Sequence, residues 1–205
     1  MMLFTCLFMR TWIVKPLISY NEGVKRGEIF PVIGAAELQH LAGTYNKVYL
    51  ENQETQRLIR HQAEHDALTQ ALNRGSFEKL LHIYETGDPP FALILIDVDI
   101  FKSVNDTYGH AVGDSILKKV TNQLKTAFRS IDYVCRIGGD EFVTILFTDE
   151  EQFGIIKQNF DLLVDNWSGD TVPYMSVSCG AVWSDERQWE SVREIAKLAD
   201  QRMYE

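Results

Sequence analysis

Arg136-Ile137-Gly138-Gly139-Asp140-Glu141-Phe142 sets two glycines between a β-rich run at 133–137 and another at 142–147. That spacing predicts a tight hairpin. Glycine at the tip allows positive φ and a close backbone approach, and the tip amides can contact phosphate oxygens. Asp140 and Glu141 add negative charge that would repel a phosphate unless a metal intervened. A second acidic strand end lies upstream, in Ile94-Leu95-Ile96-Asp97-Val98-Asp99. Carboxylates at the ends of neighbouring strands suit magnesium held against a nucleotide triphosphate.

The chain continues from Asp97 to Asp114 in a run dense with polar groups. Asp97 and Asp99 share a face if the strand extends that far. Lys102 stands near whatever phosphate arrives. Asn105 and Asp114 offer groups that can read a base edge. An aspartate suits guanine, because it accepts from N1–H and the N2 amine together. Taken alone, Asp97 and Asp99 fit better as caps of a loop, with Asn105-Asp106 in a turn. The acidic hairpin tilts the balance toward metal and nucleotide.

Bulk properties narrow the field. The 205 residues allow one good core plus an extension. Apolar content of 45% and charged content of 24% mark a globular chain. A net charge of −9 argues against nucleic acid as a partner, which needs basic surface, but admits one nucleotide with its metal ions. Cys6, Cys135 and Cys179 are far apart and odd in number. They support neither a zinc site nor a disulfide framework, and a reducing cytoplasm fits them.

From Asp66 onward, strands and helices alternate. Ser76 is expected to cap a helix carrying Phe77, Leu80, Leu81 and Tyr84 on one face. Residues 87–90 read as a turn and 91–96 as a buried strand. A helix is expected over 113–128, then the hairpin, a helix over 150–164, a strand over 172–182 and a final helix over 189–204. The order α-β-α-β-β-α-β-α predicts a single sheet with helices on one side.

The first residues differ. Residues 1–9 are almost wholly apolar, followed by Arg10, Trp12 and Lys15. Nine residues cannot cross a bilayer, which needs about 20. The positive charge follows the apolar run, unlike a signal peptide. The pattern suits the cytoplasmic end of a transmembrane helix whose start is missing; a short buried segment after a start methionine is the plainer alternative. Residues 14–25 read as a helix with Pro16 near its start, broken by Gly27 and Pro31. Residues 35–64 read as a second helix. In it Leu38, Leu41, Tyr45, Val48, Asn52, Thr55, Ile59 and Gln62 form a narrow seam that implies a partner helix and hence a parallel homodimer.

Taken together, the motifs identify a resemblance. Residues 66–205 resemble a GGDEF-domain diguanylate cyclase. The resemblance rests on Gly138–Phe142, on the run from Asp97 to Asp114, on Asp66-Ala-Leu-Thr-Gln-Ala-Leu-Asn-Arg74, on Ser176-Val-Ser-Cys-Gly180 and on Ala199-Asp-Gln-Arg-Met-Tyr204. It implies an α+β fold, a ferredoxin-like, polymerase-palm-like central sheet with flanking helices, preceded by a helical coiled-coil segment. It implies condensation of two GTP into cyclic di-GMP with release of two pyrophosphates, by a two-metal mechanism in a dimer. By resemblance, Asp97, the carbonyl of Val98, Asp140 and Glu141 hold two magnesium ions per active site, with manganese able to replace them. Asp140 helps deprotonate the attacking hydroxyl and Lys102 steadies the phosphates. Asn105, His110, Asp114, Gly138 and Gly139 bind the nucleotide. Arg129 and Asp132 match the family's inhibitory product site; the same pair also fits a helix-end ion pair.

Residues 14–65 resemble a HAMP signalling segment, with an ordinary coiled-coil linker as the alternative, and residues 1–13 the end of a membrane span. The implied location is the cytoplasmic face of a bacterial inner membrane. The family's last helix continues past the Met-Tyr into a lysine and an arginine near the triphosphate, whereas this sequence stops at Glu205. If the protein ends there, the domain is truncated, and a catalytically impaired receptor for cyclic di-GMP or GTP becomes the alternative reading.

Overall fold

The computed structural model describes residues 1–84, 89–148, 150–165, 172, 176–186 and 188–204. The chain divides into two compact units, Met1–Ala63 and Glu64–Glu205.

The second unit is built on β2 (Ala92–Val98), the most apolar strand. It pairs antiparallel with β4 (Glu141–Leu146) on one edge and β5 (Val177–Trp183) on the other. β3 (Tyr133–Arg136) forms the hairpin with β4, and the two-residue β1 (Leu72–Asn73) adds parallel to β3. The sheet order is β1-β3-β4-β2-β5. Helices cover both faces, not one. Ile94, Ile96, Phe142 and Leu146 pack with Val104 of α5 (Phe101–Tyr108), with Ile116, Val120 and Leu124 of α6 (His110–Ala127), and with Phe160 of α7 (Glu150–Asp165). Leu93, Leu95, Val143 and Ile145 pack with Phe77 of α4 (Arg74–Ile83) and with Ile195, Ala199 and Met203 of α8 (Val192–Met203). The reason is visible in β2 and β4 themselves: both are apolar at consecutive positions, so either bare face would leave core residues in water.

Several boundaries differ from expectation. Asn73, not Ser76, caps α4; its Oδ1 accepts from the Ser76 amide at 3.0 Å, and Gly75 lies inside the helix. The run after Asp99 is helical: α5 and α6 are separated by Gly109 at φ +84°. With Phe101 and Val104 as its main apolar anchors, α5 is too short to show a period. α8 starts at Val192, because the Trp189 indole instead donates to the Ser184 carbonyl. The expected turn at 87–90 and the start of the strand expected at 172 fall mostly outside the described residues.

In the first unit the helix boundaries differ from those expected. α1 (Met2–Met9), a π-helical turn (Arg10–Val14) and α2 (Lys15–Arg26) form one continuous helix. Its 25 residues, Met2–Arg26, are long and apolar enough to cross a membrane by length and composition. Pro16 sits inside it rather than at its start. Proline cannot donate to the carbonyl four residues back, and the wider turn accommodates its ring. The freed Trp12 carbonyl accepts from the Ala35 amide instead, at 3.1 Å.

Contacts advance in step along α2 and α3 (Ala36–Glu64): Trp12 with Ala35, Tyr20 with Leu38, Gly27 with Tyr49. The two helices therefore run parallel, and residues 27–35 return between them. Asn46 pins that connector, bonding both the amide (2.6 Å) and the carbonyl (2.7 Å) of Phe30. Tyr20, Phe30 and Tyr45 stack with centroids 4.8 and 3.8 Å apart. The expected seam is thus split. Leu38 and Tyr45 pack within the chain, while Leu41, Val48 and Ile59 are 52%, 50% and 59% exposed.

Candidate active site

The site grows from the end of β2. Antiparallel pairing sets Asp97 opposite Glu141, and the Val98 amide donates to the Asp140 carbonyl at 3.2 Å. Side chains directly opposite on neighbouring strands share a face, so two carboxylates meet where like charge is unfavourable. Burial and then the charges of Asp140, Glu141 and Asp99 push the Asp97 carboxyl up to about 6. Asp99 lies just past the end of β2: its amide donates to the Ser176 carbonyl at 3.1 Å, and its carboxylate accepts at 2.6 Å from the Oγ of Ser178, which stands opposite Asp97 on β5.

The hairpin glycines do not take the backbone conformation expected of them. Neither Gly138 nor Gly139 takes a positive φ, because the turn spans Ile137–Asp140 rather than two residues. At Gly138 a Cβ would stand 2.5 Å from Glu141 Oε2, so the bare position lets the Glu141 side chain fold over it. Gly139 faces open space. The tip is held from behind by Arg136, whose Nη2 donates to the Gly139 carbonyl at 2.6 Å and whose Nη1 donates to Asp66 at 2.9 Å. Burial raises the Asp66 carboxyl, but hydrogen bonds from Thr69 and Arg136 outweigh it and hold the group below the usual carboxylate range. Sequence reasoning gave Arg136 no role. Its signal was an arginine at the base of a glycine-rich tip, in a chain whose opening motif carries Asp66.

From Asp99 the chain turns into α5 through Ile100, which takes a left-handed φ of 51°. Lys102 lies in the first turn of α5 and Asn105 one turn on, on the same side. His110 opens α6 and Asp114 lies just past Gly113. Lys102, His110 and Asp114 are exposed, and Asn105 is half-buried. The structure thus places the predicted residues in two groups joined by the short link from β2 to α5: the carboxylates on the sheet and the polar groups on the α5–α6 hairpin.

Arg129 and Asp132 close the end of α6. The Asp132 carboxylate is fully buried; it accepts from the Arg129 amide (2.9 Å) and the Phe147 amide (3.1 Å), while the Arg129 guanidinium pairs with it at 3.3 Å. Arg129 remains 43% exposed. It borders a groove of about 380 Å³ that Lys125, Gln70 and Tyr133 also line.

The family model described as diguanylate cyclase, GGDEF domain, matches residues 63–205. This chain belongs to the GGDEF family. Diguanylate cyclase DosC of Escherichia coli (strain K12) is 45% identical over 92 residues, covering 42% of this chain and 20% of DosC. Diguanylate cyclase DgcM of the same organism is 33% identical over 162 residues, covering 75% of this chain and 38% of DgcM. The chain therefore spans well under half the length of these curated relatives. A solved structure of the coiled coil and GGDEF domain of DgcB from Caulobacter crescentus, in complex with c-di-GMP, superposes with a TM-score of 0.69 at 23% identity. It covers 83% of this chain and 93% of that one, and it establishes the shared fold.

GGDEF cyclases imply a divalent metal, and the donors here suit one. All are oxygens, and a raised Asp97 among three other carboxylates is the electrostatic situation a hard cation relieves. Among the described residues, however, no three His, Cys, Asp or Glu side chains stand close enough to hold an ion.

Proposed function

We propose that this GGDEF domain is a diguanylate cyclase that condenses two GTP into cyclic di-GMP, releasing two pyrophosphates. The observation that carries this reading is the pairing of Asp97 with Glu141 beside Asp140, with Asp97 pushed up to about 6. Bound among Asp97, the Val98 carbonyl, Asp140 and Glu141, two magnesium or manganese ions would compensate charge at the α-phosphate and acidify the attacking hydroxyl. Asp140 takes the proton of the 3′-hydroxyl. The oxygen attacks the α-phosphorus of the facing GTP, and the bond to pyrophosphate breaks. Lys102 steadies the phosphates, Gly138 and Gly139 give them room, and Asn105, His110 and Asp114 hold the nucleotide, with Asn105 and Asp114 on guanine.

Each domain holds one GTP, so the working form is a homodimer with two domains face to face. The parallel α2–α3 pair acts as a HAMP-like segment below a membrane helix, at the cytoplasmic face of the inner membrane. Its exposed Leu41, Val48 and Ile59 supply the dimer seam. Arg129, with Asp132 buried behind it, takes the product in the groove beside Tyr133 and restrains turnover.

GTP with magnesium is expected to yield cyclic di-GMP, and Asp140→Ala to lower the rate about a thousandfold while the melting temperature holds. Chromatographic detection of product checks this. Binding of cyclic di-GMP with no product at any protein concentration would replace the cyclase by a receptor.

A further inference from the structure

Two glycines, Gly109 and Gly113, flank the start of α6, and they are there for different reasons. Gly109 takes φ +84° and faces open space, so its backbone requires glycine. Gly113 has an ordinary helical backbone and lies buried inside α6. Alanine would favour the helix more at such a position. What excludes alanine is a neighbour. A Cβ on Gly113 would stand 2.0 Å from Asn105 Oδ1, 3.0 Å from Asn105 Cγ and 3.2 Å from Phe101 Cζ. The Asn105 backbone cannot retreat, because its carbonyl accepts from the Gly109 amide at 2.9 Å and Val104 beside it is buried. The group that must yield is the far end of the Asn105 side chain.

We infer that Gly113 is a specificity-positioning residue: the space left by its missing side chain seats the Asn105 carboxamide and fixes where that group points. The inference rests on the reading of Asn105 as a guanine-binding group. Gly113 touches no substrate and acts through Asn105, the Phe101 ring at 3.2 Å being the lesser neighbour. A methyl group there swings the carboxamide away without unfolding the α5–α6 hairpin.

The test is a double-mutant cycle in the full chain with Gly113→Ala, Asn105→Ala and the pair. Gly113→Ala is expected to raise KM for GTP about tenfold with kcat little changed, the pattern of lost uniform binding. Calorimetry with a non-hydrolysable GTP analogue is expected to show the same loss. In the Asn105→Ala background, Gly113→Ala is expected to leave KM unmoved and to change the melting temperature little, because the gain in helix propensity is set against the 3.2 Å approach to Phe101 Cζ. A merely structural glycine would give no such dependence on Asn105. If Gly113→Ala keeps the wild-type KM, or its effect adds in full to that of Asn105→Ala, the inference fails while the reading of Asn105 stands. If Asn105→Ala itself leaves KM and analogue affinity unchanged, the reading of Asn105 fails and takes the inference with it.

Discussion

Asp97 shows how a single residue trades stability for a site. Its carboxyl is raised to about 6 by burial and by Asp140, Glu141 and Asp99. Between the ordinary carboxylate value near 4 and 6, the folded chain binds more protons than the unfolded one, so stability falls as pH rises through that window. The penalty is complete above about 6 and absent below about 4. Asp97→Asn is therefore expected to stabilise the metal-free protein at pH 8 by roughly 1 kcal/mol, after allowing for solvent screening, and to lose that advantage at pH 4. Thermal melts in chelator at the two pH values check it, and equal melting temperatures at pH 8 would remove the electrostatic account. Sequence alone marked Asp97 as acidic at a strand end. It could not show that Asp99, two residues on, turns to Ser178, because that depends on where β2 stops. Gln70 and Ile100 were equally hidden: both take left-handed φ, at 58° and 51°, which a side chain does not announce.

Among the elements, β5 and α8 are joined by one glycine. A Cβ at Gly180 would lie 1.9 Å from the Ala199 carbonyl oxygen and 2.6 Å from the Met203 amide. Both partners are backbone and cannot swing aside, unlike the Asn105 side chain. Arg202 completes the contact, donating to the Ala181 carbonyl at 2.7 Å and bridging Glu186 at 2.8 Å. The two late sequence motifs, 176–180 and 199–204, are thus one packing joint. Gly180→Ala is expected to cost about 3 kcal/mol or more, with α8 lifted from the sheet, as read by urea denaturation and loss of helical signal. Tolerance of that change within about 0.5 kcal/mol would refute the close backbone contact between β5 and α8. The hairpin was legible in advance because a glycine pair between two β-rich runs is a local signal. The π-helical turn was not, since Pro16 reads as a helix start until its partner, the Ala35 amide, comes into view.

For the molecule as a whole, the proposed reaction needs two loaded domains. Turnover per chain is therefore expected to fall on dilution. The double substitution Leu41→Asp with Val48→Asp is expected to weaken self-association and lower the rate about tenfold at a fixed protein concentration. Sedimentation and product assays read the two effects; a monomeric variant with full activity would refute the dimer requirement.

The amino-acid sequence by itself determined the alternation of strands and helices, the acidic hairpin, the polar run after Asp97 and the two-helix N-terminal segment. Each of these is written in neighbouring residues through period, turn chemistry or charge. Only the tertiary structure decided that helices cover both sheet faces, that Arg136 braces the hairpin against Asp66, that Asp132 is sealed at the end of α6, and that Gly113 seats Asn105. Those facts join residues far apart in the chain, Asp66 and Arg136 by 70 positions, and no local pattern encodes which distant groups the folded chain brings into contact.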